Sequence, residues 1–231
     1  MGSPASTQPT LLGNMRSRDT KNALFSFAIH QSEPTNASPD QLCKKLALLH
    51  RNSTSPNGKY GFRMTTFQGS APQSVAWESD WTRFFTQLLQ HVITLDFEVN
   101  GSWDDLDKIE RRLIAGVTPR LLKALEQDDH TIKPSLIHGD LWEGNIGTTP
   151  DGNVYIFDSA AFYAHHEMEI AYWRGQYNKI KSPVYASAYW KYNDCSEPRE
   201  EREDCSQLYS IYYSVIYSVN HGASGNAIRQ L

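Results

Sequence analysis

Residues 136–161 read LIHGDLWEGNIGTTPDGNVYIFDSAA and give the strongest indication of the fold class. Two short runs rich in β-branched and aromatic residues, 146–148 and 154–157, lie on either side of a Pro-Asp-Gly turn sequence. Strands joined by such a turn pair as a hairpin. A polar loop, residues 138–145, comes immediately before the first run. The stretch therefore predicts a hairpin that directly follows a loop rich in functional groups.

Three polar residues of this stretch have the spacing of a phosphoryl-transfer site. Asn145 lies five positions after Asp140, and Asp158 lies thirteen positions after Asn145, beyond the hairpin. In kinases, a catalytic-loop Asp accepts the proton of the attacking hydroxyl, while a later Asn and Asp hold Mg²⁺. Amide and carboxylate oxygens suit this hard cation. The spacing predicts ATP and Mg²⁺ as cofactors, Asp140 as the base, and Asn145 and Asp158 as metal ligands.

Two other interpretations of this loop are open. Asp, Gly and Asn are common in surface turns, although a plain turn does not explain both spacings. A metallohydrolase that uses His138 and Asp140 needs further ligands, and the candidate cluster is His165-His166-Glu167. Adjacent helical residues point in different directions, so we expect one metal not to bind both histidines. We expect His138 to hydrogen-bond the loop backbone instead.

The rest of the chain has mostly helical periodicity, with apolar residues at spacings of three and four. Ser38 as N-cap, Pro39 at the first helical position and Gln41 predict the start of the first helix. The further predicted helices are residues 77–99, 104–115, the segment from Thr118-Pro119 onward, 167–177 and 206–219. Residues 23–29 alternate as in a short strand. The sequence thus predicts an α+β chain, mostly helical, with a small β-hairpin.

Composition indicates a globular chain and excludes several classes of partner. The 231 residues suffice for one domain or one large lobe, and 39% of them are hydrophobic. A net charge of -4 predicts no nucleic-acid or anionic-membrane partner. Three unevenly spaced cysteines, no apolar leader and no apolar run of roughly 20 residues predict a cytoplasmic protein.

Residues 138–145, HGDLWEGN, resemble the HGDLWxGN loop of the fructosamine kinase family, which includes the protein-ribulosamine 3-kinases. Many small-molecule kinases share HGDxxxxN, whereas the Leu-Trp and the Gly before the Asn are specific to this family. Further similar segments are residues 46–62 (LAxLHxxS…GxFGF in the family), 77–84 (WxxDWxxF), 157–165 (DPASFYGH) and 169–171 (acidic-Leu-Ala). The resemblance covers most of the chain.

The resemblance implies a protein-kinase-like large lobe in which Asp140 is the catalytic base and Asn145 and Asp158 hold Mg²⁺. It implies ATP-dependent phosphorylation of the 3-hydroxyl of ketoamines, which are sugars attached to amines by glycation. The phosphorylated sugar is then shed, so the implied role is protein deglycation. The implied partners are ATP and a glycated protein or small amine. The alternative enzyme is a related small-molecule kinase of the aminoglycoside or choline type, which shares the three residues but lacks the Leu-Trp.

Four further loop residues receive roles by the same resemblance. His138, Gly139 and Gly144 are expected to be structural residues of the catalytic loop. Trp142, next to the base, is expected either to stack on the sugar or simply to pack.

The N-terminal residues depart from the kinase pattern. Kinases carry a glycine-rich phosphate loop, a strand lysine and a helix glutamate that pairs with it. Within residues 1–22, Gly2 and Gly13 are isolated and Lys21 is the only lysine. We therefore expect the ATP-gripping small lobe to be largely missing, with a tail or remnant before a catalytic lobe at residues 23–231. The chain is then either an enzyme whose complete form is active or a catalytically inactive, pseudokinase-like remnant.

Overall fold

The computed structural model describes residues 37–127, 130–181 and 183–222, so the predicted tail and the predicted strand at 23–29 lie outside the described residues. The α-helices are α1 (Pro39–Asn52), α2 (Trp81–Asn100), α3 (Asp104–Arg112), α4 (Thr118–Ala124), α5 (His166–Tyr172), α6 (Pro183–Tyr189) and α7 (Arg202–His221). The strands are β1 (Phe67–Gln68), β2 (Ala71–Pro72), β3 (Ser135–Ile137), β4 (Ile146–Thr148), β5 (Val154–Ile156) and β6 (Phe162–Ala164). Short 3₁₀ turns occur at Glu143–Asn145, Lys179–Lys181 and Arg199–Glu201.

Helix α1 begins at the predicted place but without the predicted cap. Pro39 occupies its first turn, where the fixed φ of proline suits a helix start. The Ser38 side chain makes no capping hydrogen bond, so the predicted capping box is wrong in that respect. The buried side chains of Leu42 and Leu46 lie on one face of the helix, which packs against α6.

Helix α2 starts four residues later than the periodicity predicts. Asp80 is its N-cap, and the Asp80 side chain accepts a hydrogen bond of 2.7 Å from the Arg83 amide. Immediately before it, Glu78 pairs with Tyr60 as an isolated antiparallel bridge. Because this bridge holds the preceding backbone extended, the helix cannot begin before Asp80. Trp81, its first residue, is fully buried.

The segment after α2 is more continuous than the sequence predicts. Instead of a new helix capped at Thr118, α3 passes through a π-helical turn at Leu113–Val117 directly into α4. Thr118 itself has helical φ and ψ of -56° and -55°. Pro119 cannot donate a backbone hydrogen bond, and here the helix continues through a wider turn rather than ending. Such π turns accommodate irregularities within helices.

Two small antiparallel sheets position the loop at residues 138–145. Strands β4 and β5 pair as the predicted hairpin, which is thereby confirmed. Strand β3, which leads into the loop, pairs with β6 after the hairpin. This pairing joins segments that are distant in sequence, and periodicity does not reveal it. Both ends of the loop are thus fixed by strands.

Helix α7 forms the back of the site by packing on α2 and α5. It spans residues 202–221, longer than the predicted 206–219, and its buried tyrosines belong to an aromatic core. Trp81 donates a 2.9 Å hydrogen bond from Nε1 to the Tyr209 hydroxyl in this core. Helix α5 ends at Tyr172, earlier than predicted. None of the helices in the described part of the chain is long and apolar enough to cross a membrane.

Candidate active site

Glu169 of α5 anchors the loop that follows β3. Its fully buried carboxylate accepts backbone hydrogen bonds from His138 and, at 3.2 Å, from Gly139. Burial raises the pKa of Glu169, whereas the two amide donors favour the charged form. A residue 30 positions later in the chain therefore fixes the backbone just before Asp140.

The His138 side chain bonds backbone groups with both ring nitrogens. Nε2 donates to the Phe157 carbonyl at 2.8 Å, and Nδ1 accepts from the Asp140 amide at 3.3 Å. His138 therefore joins the loop to the end of β5. Both nitrogens are engaged in structural contacts, which leaves His138 no free atom for a metal or a proton transfer.

Gly139 has no room for a side chain. Its φ is +79°, and an added Cβ would lie 2.5 Å from the Ala160 carbonyl oxygen. At Gly152 in the β4–β5 turn, φ is a similar +83°, but nothing lies within 4 Å of an added Cβ. The two glycines therefore share the backbone constraint, and only Gly139 has a steric constraint in addition.

We expect Gly139→Ala to destabilise the chain clearly more than Gly152→Ala. A left-handed backbone costs a non-glycine residue about 1–2 kcal/mol, and this cost applies to both variants. The contact with Ala160 forces a further shift of the loop at residues 138–145 only in Gly139→Ala. Urea denaturation of both variants measures the difference in the free energy of unfolding. Equal losses in the two variants would contradict the close packing of Gly139.

The Asn145 amide brings the three spaced residues together. Its Nδ2 donates to the Asp140 carbonyl at 2.8 Å, to Asp140 Oδ2 at 3.1 Å and, more weakly, to the Asp158 carbonyl at 3.4 Å. Because all three partners are acceptors, the nitrogen must face them, and Oδ1 lies on the other branch of the amide. Asp158 has φ +56° and an exposed side chain. The residues predicted as base and metal ligands therefore lie side by side.

Two residues that the sequence did not indicate contact the Asp140 carboxylate. Gln68 Nε2 donates to Oδ1 at 3.1 Å, and the Tyr172 hydroxyl donates to the same oxygen at 2.9 Å. Burial raises the pKa of Asp140, and the hydrogen bonds from Tyr172, Gln68 and Asn145 act against that rise. Gln68 and Tyr172 lie 72 and 32 positions from Asp140. No local motif contains them, so sequence spacing offers no signal for either.

A cavity of about 280 Å³ opens beside Asp140. Tyr177 and Tyr217 stack within it with ring centroids 4.0 Å apart, and Tyr217 stacks on His221 at 3.8 Å. Its lining residues are Gln68, Gly69, Asp140, Trp142, Tyr172, Tyr177, Asn178, Tyr217, Asn220 and His221. The cavity thus combines aromatic side chains with a few polar groups, as small-molecule sites commonly do.

Trp142 and Gly144 fit each other at this cavity. Trp142 lines it and is 40% exposed. A Cβ at Gly144 would collide with the six-membered ring of Trp142. Glycine at position 144 therefore lets the indole lie across the loop.

The cluster His165-His166-Glu167 is more compact than adjacent helical residues would allow. One ligand atom of each lies within 4.8 Å of the others, because His165 is the extended N-cap of α5 rather than part of the helix. The expectation that the histidines point apart is therefore wrong. His165 nevertheless bonds the Tyr209 hydroxyl at 2.9 Å and the Ser196 hydroxyl at 2.8 Å. Burial lowers the pKa of His165 to about 3, so this is a neutral imidazole engaged on both sides.

The sequence of the chain matches the family model described as fructosamine kinase over residues 8–227. A chloroplastic protein-ribulosamine 3-kinase of Oryza sativa subsp. indica is 35% identical over 132 residues, which cover 55% of this chain and 35% of that protein. A probable ketoamine kinase of Enterococcus faecium is 31% identical, covering 86% of this chain and 68% of that one. The ketosamine-3-kinase of Mus musculus is 31% identical, covering 75% and 54%.

The fold is similar to that of solved structures. A fructosamine-3-kinase-type protein from Haemophilus somnus superposes with a TM-score of 0.67 at 19% identity, covering 86% of this chain and 64% of that one. The corresponding protein from Thermobifida fusca gives a TM-score of 0.60 at 21% identity, covering 84% and 63%. The chain spans between 35% and 49% of the length of the plant ribulosamine 3-kinases that it matches.

Proposed function

Because the chain belongs to the fructosamine kinase family, we propose that it transfers phosphate from ATP to the 3-hydroxyl of a ketoamine. The observation that carries the proposal is the Asn145 amide, which joins the two acidic residues of a kinase-like spacing. Positioning and electrostatic stabilisation provide most of the catalysis in phosphoryl transfer. A rigid arrangement of one base and two oxygen ligands is therefore the main requirement for this chemistry.

We assign the role of base to Asp140. Its carboxylate lines the cavity beside Trp142 and the stacked tyrosines. A substrate hydroxyl that enters this cavity meets an acceptor held by neighbouring donors. The base orients the hydroxyl and takes its proton as the phosphate is transferred.

Asn145 and Asp158 are the proposed Mg²⁺ ligands. The three hydrogen bonds of Asn145 Nδ2 orient its amide so that Oδ1 remains for a cation. The Asp158 side chain is exposed, and the Asp158 backbone carbonyl lies 3.4 Å from Asn145 Nδ2. This donor set of oxygens fits Mg²⁺, which keeps several waters and binds one or two carboxylates together with substrate phosphates. The ion would supply charge neutralisation at the phosphates.

The cavity beside Asp140 supports a ketoamine as the substrate. Trp142, which is 40% exposed, presents an aromatic ring on which the apolar face of a sugar ring or chain can stack, and the stacked Tyr177 and Tyr217 line the same cavity. Its volume of about 280 Å³ suits a sugar attached to an amine. Phosphorylation of a protein-bound ketoamine would lead to deglycation of that protein. Glycated proteins are therefore the proposed partners of this chain.

We also propose how the chain relates to the two lobes of a kinase. We assign the described part of the chain, from residue 37 to residue 222, to a protein-kinase-like catalytic lobe. The alternative is a remnant that no longer binds nucleotide. Nucleotide binding therefore separates the two possibilities.

We expect calorimetry to detect Mg²⁺-dependent ATP binding that Asp158→Ala abolishes. Asp151→Ala is the matched control, because Asp151 is an exposed carboxylate at the far turn of the same hairpin. That variant should bind like the wild type, since the mutation leaves the proposed metal site intact. Transfer of labelled phosphate from ATP to a ribulosamine or fructosamine of lysine then tests the substrate. No binding at millimolar ATP, or equal loss in both variants, would refute the proposed site.

A further inference from the structure

We propose that Gln68 and Tyr172 are positioning residues that hold the Asp140 carboxylate by Oδ1 and leave Oδ2 to accept the proton of the substrate hydroxyl. This inference rests on the proposed function and adds an atomic assignment to the same site. Its basis is that both residues donate to Oδ1, at 3.1 Å and 2.9 Å.

The two oxygens of Asp140 differ in how many partners they already have. Each carboxylate oxygen offers about two acceptor positions. On Oδ1, the Gln68 amide and the Tyr172 hydroxyl take both. On Oδ2, Asn145 Nδ2 takes one, at 3.1 Å. A hydroxyl that donates to Asp140 therefore finds its open position on Oδ2.

Gln68 is held in place from behind by helix α7. Asn220 donates from Nδ2 to the Gln68 carbonyl at 2.9 Å and accepts from the Ser70 amide at 2.9 Å. These bonds fix the tip of the β1–β2 hairpin on the helix. Gln68 is only 6% exposed. Its amide nitrogen therefore reaches Asp140 from a restrained backbone.

Tyr172 is restrained independently. Its carbonyl accepts a 2.6 Å hydrogen bond from Asn178 Nδ2, and its ring lies against Tyr213 with centroids 4.6 Å apart. The two donors to Asp140 thus come from separate elements, each with its own support. Residues whose positions are locked by neighbouring contacts give a site its geometric precision.

Both donors are uncharged, and this matters for a base. Burial and the charge of Asp140 raise the pKa of Tyr172, so the phenol keeps its proton. A cationic partner such as Arg or Lys would stabilise the carboxylate strongly and make it a weaker proton acceptor. A neutral amide and a neutral phenol orient the carboxylate without a cation beside it. The carboxylate therefore remains a better proton acceptor than one paired with Arg or Lys.

The test compares variants that change donors and preserve shape. Tyr172→Phe deletes only the hydroxyl, and Gln68→Glu keeps the side-chain size but replaces the donor by an acceptor. We expect kcat for ketoamine phosphorylation to fall about 10-fold in Tyr172→Phe, the scale of one hydrogen bond to a charged group. Gln68→Glu should lose more, because two carboxylates then repel each other. KM for ATP should stay unchanged in both.

Tyr212→Phe is the matched control, because Tyr212 is a buried tyrosine of α7 whose hydroxyl accepts from Gln73. It removes a core hydroxyl without touching Asp140, so kcat should remain at the wild-type value. The positioning role would be overturned by an unchanged kcat in Tyr172→Phe and Gln68→Glu. The positioning role would also be overturned if the loss of kcat in these variants were proportional to the loss in melting temperature, because a general loss of stability would then explain it.

A measurement that does not need turnover separates this inference from the proposed function. In NMR spectra, the side-chain amide protons of Gln68 should shift upfield in Asp140→Ala and stay in place in Asp151→Ala. Unmoved signals in Asp140→Ala would disprove the contact itself. If the Gln68 signals shift in Asp140→Ala as expected but the wild-type chain does not phosphorylate ketoamines, the proposed function is refuted. The assignment of Oδ2 as proton acceptor is then refuted as well, whereas the contact between Gln68 and Asp140 stands.

Discussion

Replacing Asp140 by Asn is expected to lower kcat for ketoamine phosphorylation by about 10²- to 10⁴-fold, the usual cost of losing a positioned acid–base group. The variant keeps the shape of the side chain. Its Oδ1 still accepts from Gln68 and Tyr172, and only the atom facing Asn145 changes from acceptor to donor. The substrate hydroxyl then loses its proton acceptor while the cavity keeps its form. Steady-state kinetics with ATP and a ribulosamine of lysine measure the effect.

Asp151→Asn provides the control, since it removes a carboxylate from the exposed hairpin turn. It should retain wild-type turnover, and Asp140→Asn should keep a cooperative thermal transition and bind ATP. Turnover that survives in Asp140→Asn at the wild-type rate would remove Asp140 from the mechanism. A loss of ATP binding in that variant would point to a folding defect instead.

We also expect the free energy of unfolding to fall strongly in mild acid. His50 and His165 are fully buried, and His166 is half-buried beside them. Burial lowers the pKa of His50 and His165 to about 3 and that of His166 well below its usual value. An unfolded histidine titrates near pH 6.5. As the pH falls below that value, the unfolded chain binds protons that the folded chain does not, and stability declines toward pH 3. Between pH 7.5 and 5.5, each histidine contributes a loss of about 1.4 kcal/mol.

For the three histidines together, the expected loss is about 4 kcal/mol, a large part of the stability of a typical domain. Glu169 acts in the opposite direction, because burial raises its pKa and its neutral form relieves a desolvation cost as the pH falls. Urea denaturation at the two pH values measures the net change. His50→Gln should remove about one third of the pH dependence. Equal midpoints at pH 7.5 and 5.5 would contradict the neutral, buried state of these rings.

The sequence predicted the parts of the site that depend on local spacing. Asp140, Asn145 and Asp158 belong to one loop and one hairpin, and a hairpin with a Pro-Asp-Gly turn returns the chain to its starting point. Two glycines of the loop also fit local features: Gly139 has a left-handed φ of +79°, and Gly144 leaves room for the indole of Trp142. Local chemistry was therefore enough to place the proposed base and metal ligands together.

The residues that hold this loop were not predictable in the same way. Glu169, Gln68 and Tyr172 reach it from other elements, and each contact depends on how helices pack against strands. The late start of α2 has a similar cause, since the bridge between Tyr60 and Glu78 overrides the apolar periodicity before Asp80. Tertiary contacts of this kind follow from the assembled fold and leave no pattern in a single segment.

The bond between Asn220 and the Gln68 carbonyl has a consequence for biosynthesis. It joins residues 152 positions apart, and contacts of such long range form late, after the entropy of closing a large loop has been overcome. Chains grow from the N-terminus at about 5–20 residues per second. The loop and hairpin therefore emerge from the ribosome several seconds before α7 does. During that interval a nascent chain would carry the Asp140 loop without its restraint from Gln68, so competence for chemistry would arise only after α7 has docked.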